Sequence, residues 1–582
     1  MQELDGLDAL AKAKEQQDDE SAKGKPTQRE LLIEIAKTAE LWHTQDFEPW
    51  ATVTCDEHRE HWPVMSSGFR RWLEATYYEQ HENGPSSQAM TDARNTITAI
   101  ACYKGEQHNV FIRVGEAQGC IYIDLANDAW EAVEVTATGW RVISNPPVRF
   151  RRGRGMAPLP HPVAGGSIDE LWPFVNIPDE GQRVLVVSGL VSCYRPTGPY
   201  AVWILLGEQG SGKSITARVL VSLIDPSSVP LRTAPRNERD LAIHASNAWL
   251  VCLDNLSGVP VWLSDAICRV ATGGGFATRE LYTDSEEALF DYQRPVILNG
   301  IDDIATRHDL ADRSLNLVLP PIPDAERKTE ATFWRDWELV RPRVFGALLD
   351  GVSTALRRVD SVHLPRKPRM ADFAVWATAA EEAFGWPEGT ALKAYAENRA
   401  EAVDLGIESD AVAFTVCELL KHKPDGFEGT MTELLDELED HASDKMRNAK
   451  TWPGSARSLS NRLRRSSTAL RQVGINVDLD RRAGDKKGTR LVRIDSTHKV
   501  ASDTSDASDV APKGDNNGVS ASDATSDANP SSNILASDTS SDRKSPSLRG
   551  LQGMSDATDT SDARKHTLSA AEGNKASEVF EL

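Results

Sequence analysis

The run Ala201-Val202-Trp203-Ile204-Leu205-Leu206, continued by Gly207-Glu208-Gln209-Gly210-Ser211-Gly212-Lys213-Ser214, decides how this chain is read. Six apolar residues in succession predict a strand buried on both faces. The next eight match G-x-x-x-x-G-K-[ST] in the setting that the motif requires, with a strand before it and a helix, residues 215–224, after it. The spacing has a physical cause. Gly207, Gly210 and Gly212 let the backbone curl until successive N–H groups face inward at a helix N-terminus, forming a nest for anions. Lys213 would reach the β- and γ-phosphates of ATP, and the Ser214 hydroxyl would ligate Mg²⁺. The whole stretch, including Glu208, Gln209 and Ser211, is therefore expected to hold the nucleotide.

Three further signals follow in order. Residues 249–253 form a second apolar run ending in Asp254, 41 residues after Lys213. An acid at the carboxyl end of a strand is where a phosphate-loop enzyme holds Mg²⁺ through water. Residues 296–298 form a third run ending in Asn299, 45 residues further on, where a polar side chain can orient an attacking water. Then come Arg307 and Arg313, ahead of a last strand at residues 315–319. Arginines at this place in oligomeric ATPases reach the neighbouring subunit's nucleotide. Each signal is ordinary alone, but their order behind the glycine turn is not.

Between Asp254 and Asn299 lies a glycine-rich segment, residues 271–284 (ATGGGFATRELYTD). With it, the arrangement resembles the superfamily-3 helicases, the poxvirus and phage primase–helicase type, and is most similar to the ATPases of phage and prophage replication proteins. The resemblance covers about residues 180–320. It implies an AAA+-like phosphate-loop core, a hexameric ring, and a DNA-contacting hairpin in the pore with Arg279 as first contact and Arg269 as second. A structural ion pair of Arg279 with Glu280 or Asp284 is the competing reading. There is one departure. Such ATPases place a glutamate at or directly after the strand-ending acid, whereas here Asn255 follows Asp254. Asp254 would then serve both metal and water, or Glu208 would supply the base, and slow or switch-like hydrolysis becomes an alternative.

The formal charge of −22 hides an asymmetry, since residues 442–495 hold fourteen Lys and Arg against five Asp. In that region three helical segments (409–421, 431–441, 456–473) precede a charged hairpin. The third helix places Leu459, Leu463 and Leu470 on one face and Arg457, Arg462, Arg464, Arg465 and Arg471 over much of the rest. Arg481, Arg482, Lys486 and Lys487 surround the hairpin tip. This resembles a winged-helix domain, which would place its third helix in the DNA major groove while the wing follows phosphates. A small helical domain with a solvated basic face is the bland alternative.

Elsewhere the sequence is less informative. Residues 1–28 are charged and low in aromatics, and residues 496–582 are a Ser/Asp-rich acidic tail; both are expected to be disordered, the tail solubilising or tethering a replication partner. Residues 29–160 read as an α+β domain, 161–324 as the ATPase core, 325–404 as a helical lid and 405–495 as the winged helix. Cys55-x-x-His58-x-x-His61 has ligand-like spacing without a second pair. Asp124 and Asp128 at a strand end leave a priming activity open. The Pro/Arg/Gly-rich stretch 146–162, with FRRGRG at 150–155, reads as a linker with an exposed basic loop, solvated in the first reading and touching nucleic acid in the second. Seven scattered cysteines and no leader or membrane-length apolar run suggest a soluble cytoplasmic protein without disulfides. The fold expected is α/β, and the function a DNA helicase or replication initiator of a phage, prophage or mobile element. The alternatives are a non-unwinding DNA-bound ATPase (loader, regulator or defence switch) and a primase–helicase.

Overall fold

The computed structural model of the chain describes residues 26–55, 57–274, 276–279, 287–290, 293–300, 308–449, 451–482 and 490–496. Helix α1 (Gln28–Ala36) starts at a capping box in which the Thr27 hydroxyl accepts from the Glu30 N–H and the Glu30 carboxylate from the Thr27 N–H. The helix ends well before Trp42, and strand β1 (Glu40–His43) begins there instead. Trp42 is fully buried on the face of β1 opposite Leu41, where it stacks on Trp50 and its indole N–H donates to Thr52 at 2.9 Å. β1 pairs antiparallel with β2 (Pro49–Cys55), and β2 with β3 (His58–Pro63). Helices α2 (Ser67–His81) and α3 (Ser87–Lys104) close a small core around Phe69, Leu73 and Ile97. The two-residue β4 (Glu106–Gln107) adds to β1 in parallel.

After β5 (Val110–Phe111), an antiparallel meander runs β6 (Val114–Ala117), β7 (Cys120–Asp124), β8 (Ala132–Thr136), β9 (Gly139–Ile143). β10 (Arg149–Phe150) returns to pair in parallel with β5. The sequence places a domain boundary at residue 160, yet one apolar core runs through it. Val133, Val135 and Leu159 share that core with Leu190, Trp203 and Phe345.

Helix α4 (Glu180–Ser192) leads to the central sheet, four parallel strands in the order β12-β15-β11-β16: β11 (Val202–Leu206), β12 (Val251–Leu256), β15 (Val296–Gly300) and β16 (Ser314–Val318). Both faces of β11 are covered, as its unbroken apolar run predicts. Trp203 and Leu205 enter the large core, and Val202 and Ile204 the opposite one with Leu241 and Ile267. The Trp203 indole lies flat enough on α4 that a Cβ at Gly189 would sit 2.2 Å from its ring. Helices α5 (Lys213–Ile224), α6 (Glu238–Asn247) and α7 (Val261–Thr272) connect the strands. β13 (Phe276–Arg279) and β14 (Glu287–Phe290) form an antiparallel hairpin between β12 and β15 in the chain. The short α8 (His308–Ala311) precedes β16.

The expected lid is three helices, α9 (Glu330–Arg358), α10 (Ala371–Ala380) and α11 (Thr390–Ser409), packed on the same large core. A separate core then gathers α12 (Ala411–His422), β17 (Phe427–Gly429), α13 (Met431–His441), α14 (Asp444–Arg447), α15 (Ala456–Gln472), β18 (Ile475–Arg482) and β19 (Arg490–Ser496). Its sheet is antiparallel in the order β17-β19-β18, one strand more than the sequence suggests. All seven cysteines are free thiols, with Cys193, Cys252 and Cys268 buried. No helix among the described residues is long and apolar enough to cross a membrane.

Candidate functional site at the carboxyl edge of the parallel sheet

Parallel strands bring their carboxyl ends to one edge, and in open α/β sheets ligands bind there. The register aligns Leu205 with Asn299 and Leu253 with Leu298, so the glycine turn, Asp254 and Asn299 meet at that edge. The turn uses its glycines as the spacing demands. Gly207, Gly210 and Gly212 all have positive φ, and a Cβ on Gly207 would lie 2.4 Å from the Leu319 carbonyl oxygen. Gly212 caps α5 without a side-chain acceptor for the helix's first N–H groups. The Lys213 ammonium donates to the carbonyls of Gly207 (2.6 Å) and Glu208 (2.8 Å), and so lies over the turn. Asn176 buttresses the turn from outside, its amide donating to the Ser211 carbonyl at 2.9 Å and the Pro320 carbonyl at 2.6 Å.

Three side chains from three elements converge beside it. The Ser214 hydroxyl donates to Asp254 at 3.0 Å (Oδ1) and 3.2 Å (Oδ2). The Asn299 amide donates to the same Asp254 Oδ1 and lies 3.2 Å from the Ser214 hydroxyl. Asn299 Oδ1 is buried and has no hydrogen-bond partner among the described residues. An orphaned acceptor in a buried site is costly unless it serves a ligand or water. One hydroxyl and one carboxylate are hard oxygen donors of the sort Mg²⁺ prefers. Among the described residues no group of three or more His, Cys, Asp or Glu is placed to hold a metal ion.

Asn255, the residue that departs from the expected glutamate, has φ 56°. It sits where the β12–β15 register shifts between Leu253 and Leu256, a bulge. A bulged, left-handed position suits Asn far better than Glu.

A cleft of about 560 Å³ opens beside the turn, walled by Trp172, Phe174, Ile215, Ile322, Arg327 and Phe333. The Arg327 guanidinium stands 3.3 Å from where a Cβ on Gly210 would be. None of these residues was singled out from sequence. They come from three segments, and the sole local sign is the aromatic pair Trp172 and Phe174 lying ahead of the glycine turn.

The other candidates fare unevenly. Arg313 is held within its own chain: its guanidinium pairs with the Asp309 carboxylate and donates to the Asp309 carbonyl at 2.9 Å. Arg307, Glu280 and Asp284 lie outside the described residues, as do Lys486, Lys487, residues 1–25 and the acidic tail from residue 497 on. Arg279 is the last residue of β13, in register with Glu287 of β14. Arg269 pairs with Glu238 at 2.9 Å. In the C-terminal domain, Leu459, Leu463 and Leu470 are buried as their spacing predicts. Arg462 turns inward to Asp410 at 3.2 Å, and Ser466 donates to the same carboxylate at 2.8 Å, because Asp410 caps α12. Arg464 lies 3.5 Å from Asp480, Arg465 donates to the Asn461 carbonyl, and Arg481 pairs with Glu428 at 2.8 Å. Arg457 and Arg482 are exposed.

The N-terminal candidates have structural partners. His61 is buried and shares a 2.9 Å hydrogen bond with Thr52, while His58 pairs with Glu60 at 3.2 Å. Asp124 is gripped by Arg152 through two bonds of 2.7 and 3.0 Å and accepts the Ala126 N–H. Arg152 also stacks over Trp130 at 3.9 Å, so the loop read as a solvated basic linker is in part a packed one.

Residues 168–405 match the family described as the actinomycete integrative conjugative element replication protein, and residues 412–509 match the C-terminal domain of that replication protein. No curated protein gives a significant match. Among solved structures, the chain is similar to the A-form apo structure of the NrS-1 C-terminal region at 13% identity and a TM-score of 0.37, over 80% of this chain and 99% of that one. A second apo structure of that region, residues 305–718, aligns at 12% identity and a TM-score of 0.36, over 81% and 100%. Both likenesses are too loose to transfer residues.

Proposed function

Taking the chain as a conjugative-element replication protein across residues 168–405 and 412–509, we propose that it is a Mg²⁺-dependent ATPase that acts on DNA, a helicase or replication initiator. The observation that carries this reading is the convergence of Ser214, Asp254 and the unpartnered Asn299 Oδ1 beside the Lys213 turn. In this reading the turn and Lys213 bind the phosphates, and Ser214 and Asp254 hold the metal, which neutralises charge on the transferred phosphoryl group. Asn299 Oδ1 accepts a hydrogen bond from the attacking water and orients it in line. The aromatic cleft around Trp172 and Phe333 takes the base, and Arg327 stands close enough to add positive charge near the phosphates. The C-terminal domain, a winged helix in this reading, binds duplex DNA through Arg457, Arg464 and Arg465. The β13–β14 hairpin follows a single strand in the pore of a homo-hexamer.

The test is the ATPase rate with and without single-stranded DNA, for wild type, Lys213→Ala and a chain truncated after residue 404. Loss of hydrolysis in Lys213→Ala and DNA stimulation that survives truncation are expected. Near-normal turnover in Lys213→Ala would sink the reading.

A second reading, a DNA-bound ATPase that does not unwind, is favoured by Asn255 in the glutamate's place and by Arg313 being tied to Asp309. Hydrolysis without strand displacement on a forked substrate would select it.

A further inference from the structure

A second cleft, of about 570 Å³, lies between the N-terminal domain and helix α6, next to the segment that bridges to β12 through Arg232 and Leu253. Three elements form its walls: the start of α2 with Trp62, the arginine loop 151–154, and the segment from Arg232 to Asn247. Four arginines line it, Arg151, Arg152, Arg154 and Arg232, against one lining carboxylate, Asp240. Arg152 is already answered by Asp124 behind it. Among the described residues, the Arg151 guanidinium donates to the neutral Asn247 amide oxygen, at 3.1 Å, and pairs with no carboxylate. Arg154 and Arg232 are exposed, and neither has a carboxylate within ion-pair distance among the described residues. In a chain of net charge −22, arginines collected in a cleft without matching acids are not accounted for by folding.

Two other features favour an anion there. Ser67 and Gly68 open the fifteen-residue α2 behind its N-cap Ser66, and that end of the helix carries partial positive charge. Gly68 lets the Trp62 ring close on that turn, since a Cβ would come 2.3 Å from the ring. Both histidines of the cleft are shifted chiefly by burial, with arginine charge second. His61 is pushed down to about 3, first by burial and then by Arg149, Arg59 and Arg152, and His244 to about 4 by burial and then by Arg232.

We propose that this cleft is a second nucleic-acid contact, taking backbone phosphates of a single DNA strand on Arg151, Arg154 and Arg232. The choice of DNA as the polyanion rests on the replication reading; the phosphate chemistry does not. The site is wired to the first one. The Arg232 N–H donates to the Cys252 carbonyl at 3.2 Å, and the Asp254 N–H donates to the Arg232 carbonyl at 2.8 Å. An occupant gripped by Arg232 is thus one backbone hydrogen bond from the residue that faces Ser214.

The experiment is fluorescence anisotropy of a labelled oligothymidine on the full chain without nucleotide, at several salt concentrations. Wild type is compared with Arg154→Ala/Arg232→Ala and with Arg154→Lys/Arg232→Lys. Both side chains are exposed, so the variants fold, and melting checks this. The alanine pair is expected to bind about ten-fold more weakly, with the salt slope reduced by about 1.4, the value for two lost phosphate contacts on a single strand. The lysine pair retains the slope. Unchanged affinity and slope in the alanine pair overturns the proposal. So does competition by millimolar inorganic phosphate that removes the difference between wild type and variant, which would make the cleft a site for free phosphate. Because the assay contains no nucleotide and measures no hydrolysis, a failed ATPase assay leaves this result standing.

Discussion

Arg113 and Asp225 are 112 positions apart in sequence and form a fully enclosed ion pair, Nε to Oδ1 at 2.9 Å. Arg113 is completely buried with φ 61°, and also donates to the carbonyls of Asp124 and Ala157, each at 2.9 Å. The other Asp225 oxygen accepts the N–H groups of Trp249 (2.8 Å) and Leu250 (3.2 Å). One pair thereby ties the meander, the end of α5 and the start of β12. Breaking it leaves a charge without a partner, which costs about 3–5 kcal/mol. Arg113→Met is therefore expected to lower the unfolding free energy of the core by that amount, as read from urea unfolding.

At the sheet edge, Asp254→Asn keeps the shape of the Ser214 contact but removes the charge. Nucleotide binding in EDTA should be unaffected, while Mg²⁺-dependent turnover falls. Asn299→Ala removes the orphaned acceptor and is expected to lower kcat about 100-fold with little change in nucleotide affinity. Equilibrium binding of a fluorescent ATP analogue beside steady-state turnover separates the two.

Asn255 tests whether the missing glutamate is a backbone matter. Its left-handed φ costs an ordinary residue about 1–2 kcal/mol. Asn255→Gly should be as stable as wild type. Asn255→Glu should lose about 1 kcal/mol in thermal unfolding, and Asn255→Val more, since a β-branched side chain is worst placed there.

Acid should weaken the fold through its buried histidines. The folded pKa values, about 3 for His61 and about 4 for His244, lie below the unfolded value of about 6.5. The unfolded chain then binds more protons, so stability rises with pH in this window. The contribution is whole above about pH 6.5 and is lost progressively as pH falls toward 4. His61→Gln, which keeps a partner for Thr52, should flatten the difference in melting temperature between pH 7 and pH 5.

The arginines of α15 divide by partner. Arg462 serves Asp410, so Arg462→Ala should destabilise the C-terminal domain. Arg457→Ala should leave its melting unchanged and reduce the salt slope of duplex binding by about one, as titrations at several salt concentrations would show.

What was legible in the sequence was local. The glycine turn, Asp254 and Asn299 stand at the ends of apolar runs, and parallel pairing alone brings such ends together. The leucine face of α15 was readable for the same reason, being a period along one helix. What escaped depended on contacts between distant segments. Trp172, Ile322 and Phe333 meet across the turn without any spacing rule. Arg152 and Asp124 are 28 residues apart, and Arg462 and Asp410 are 52 apart, so solvated and engaged arginines look alike in sequence. The continuity of the core past residue 160 was hidden too, because the meander's valines look the same whatever they pack against.

The buried thiols give the chain a clock of its own. Cys252 lies two residues before Asp254 in the central sheet, 2% exposed, with its thiol pushed up first by burial and then by the Asp254 charge. A thiol that is neither reachable nor ionised does not react with an alkylating reagent until the sheet opens. The rate of Cys252 modification therefore times the opening of the strand that carries the candidate metal ligand, and a bound nucleotide should slow it.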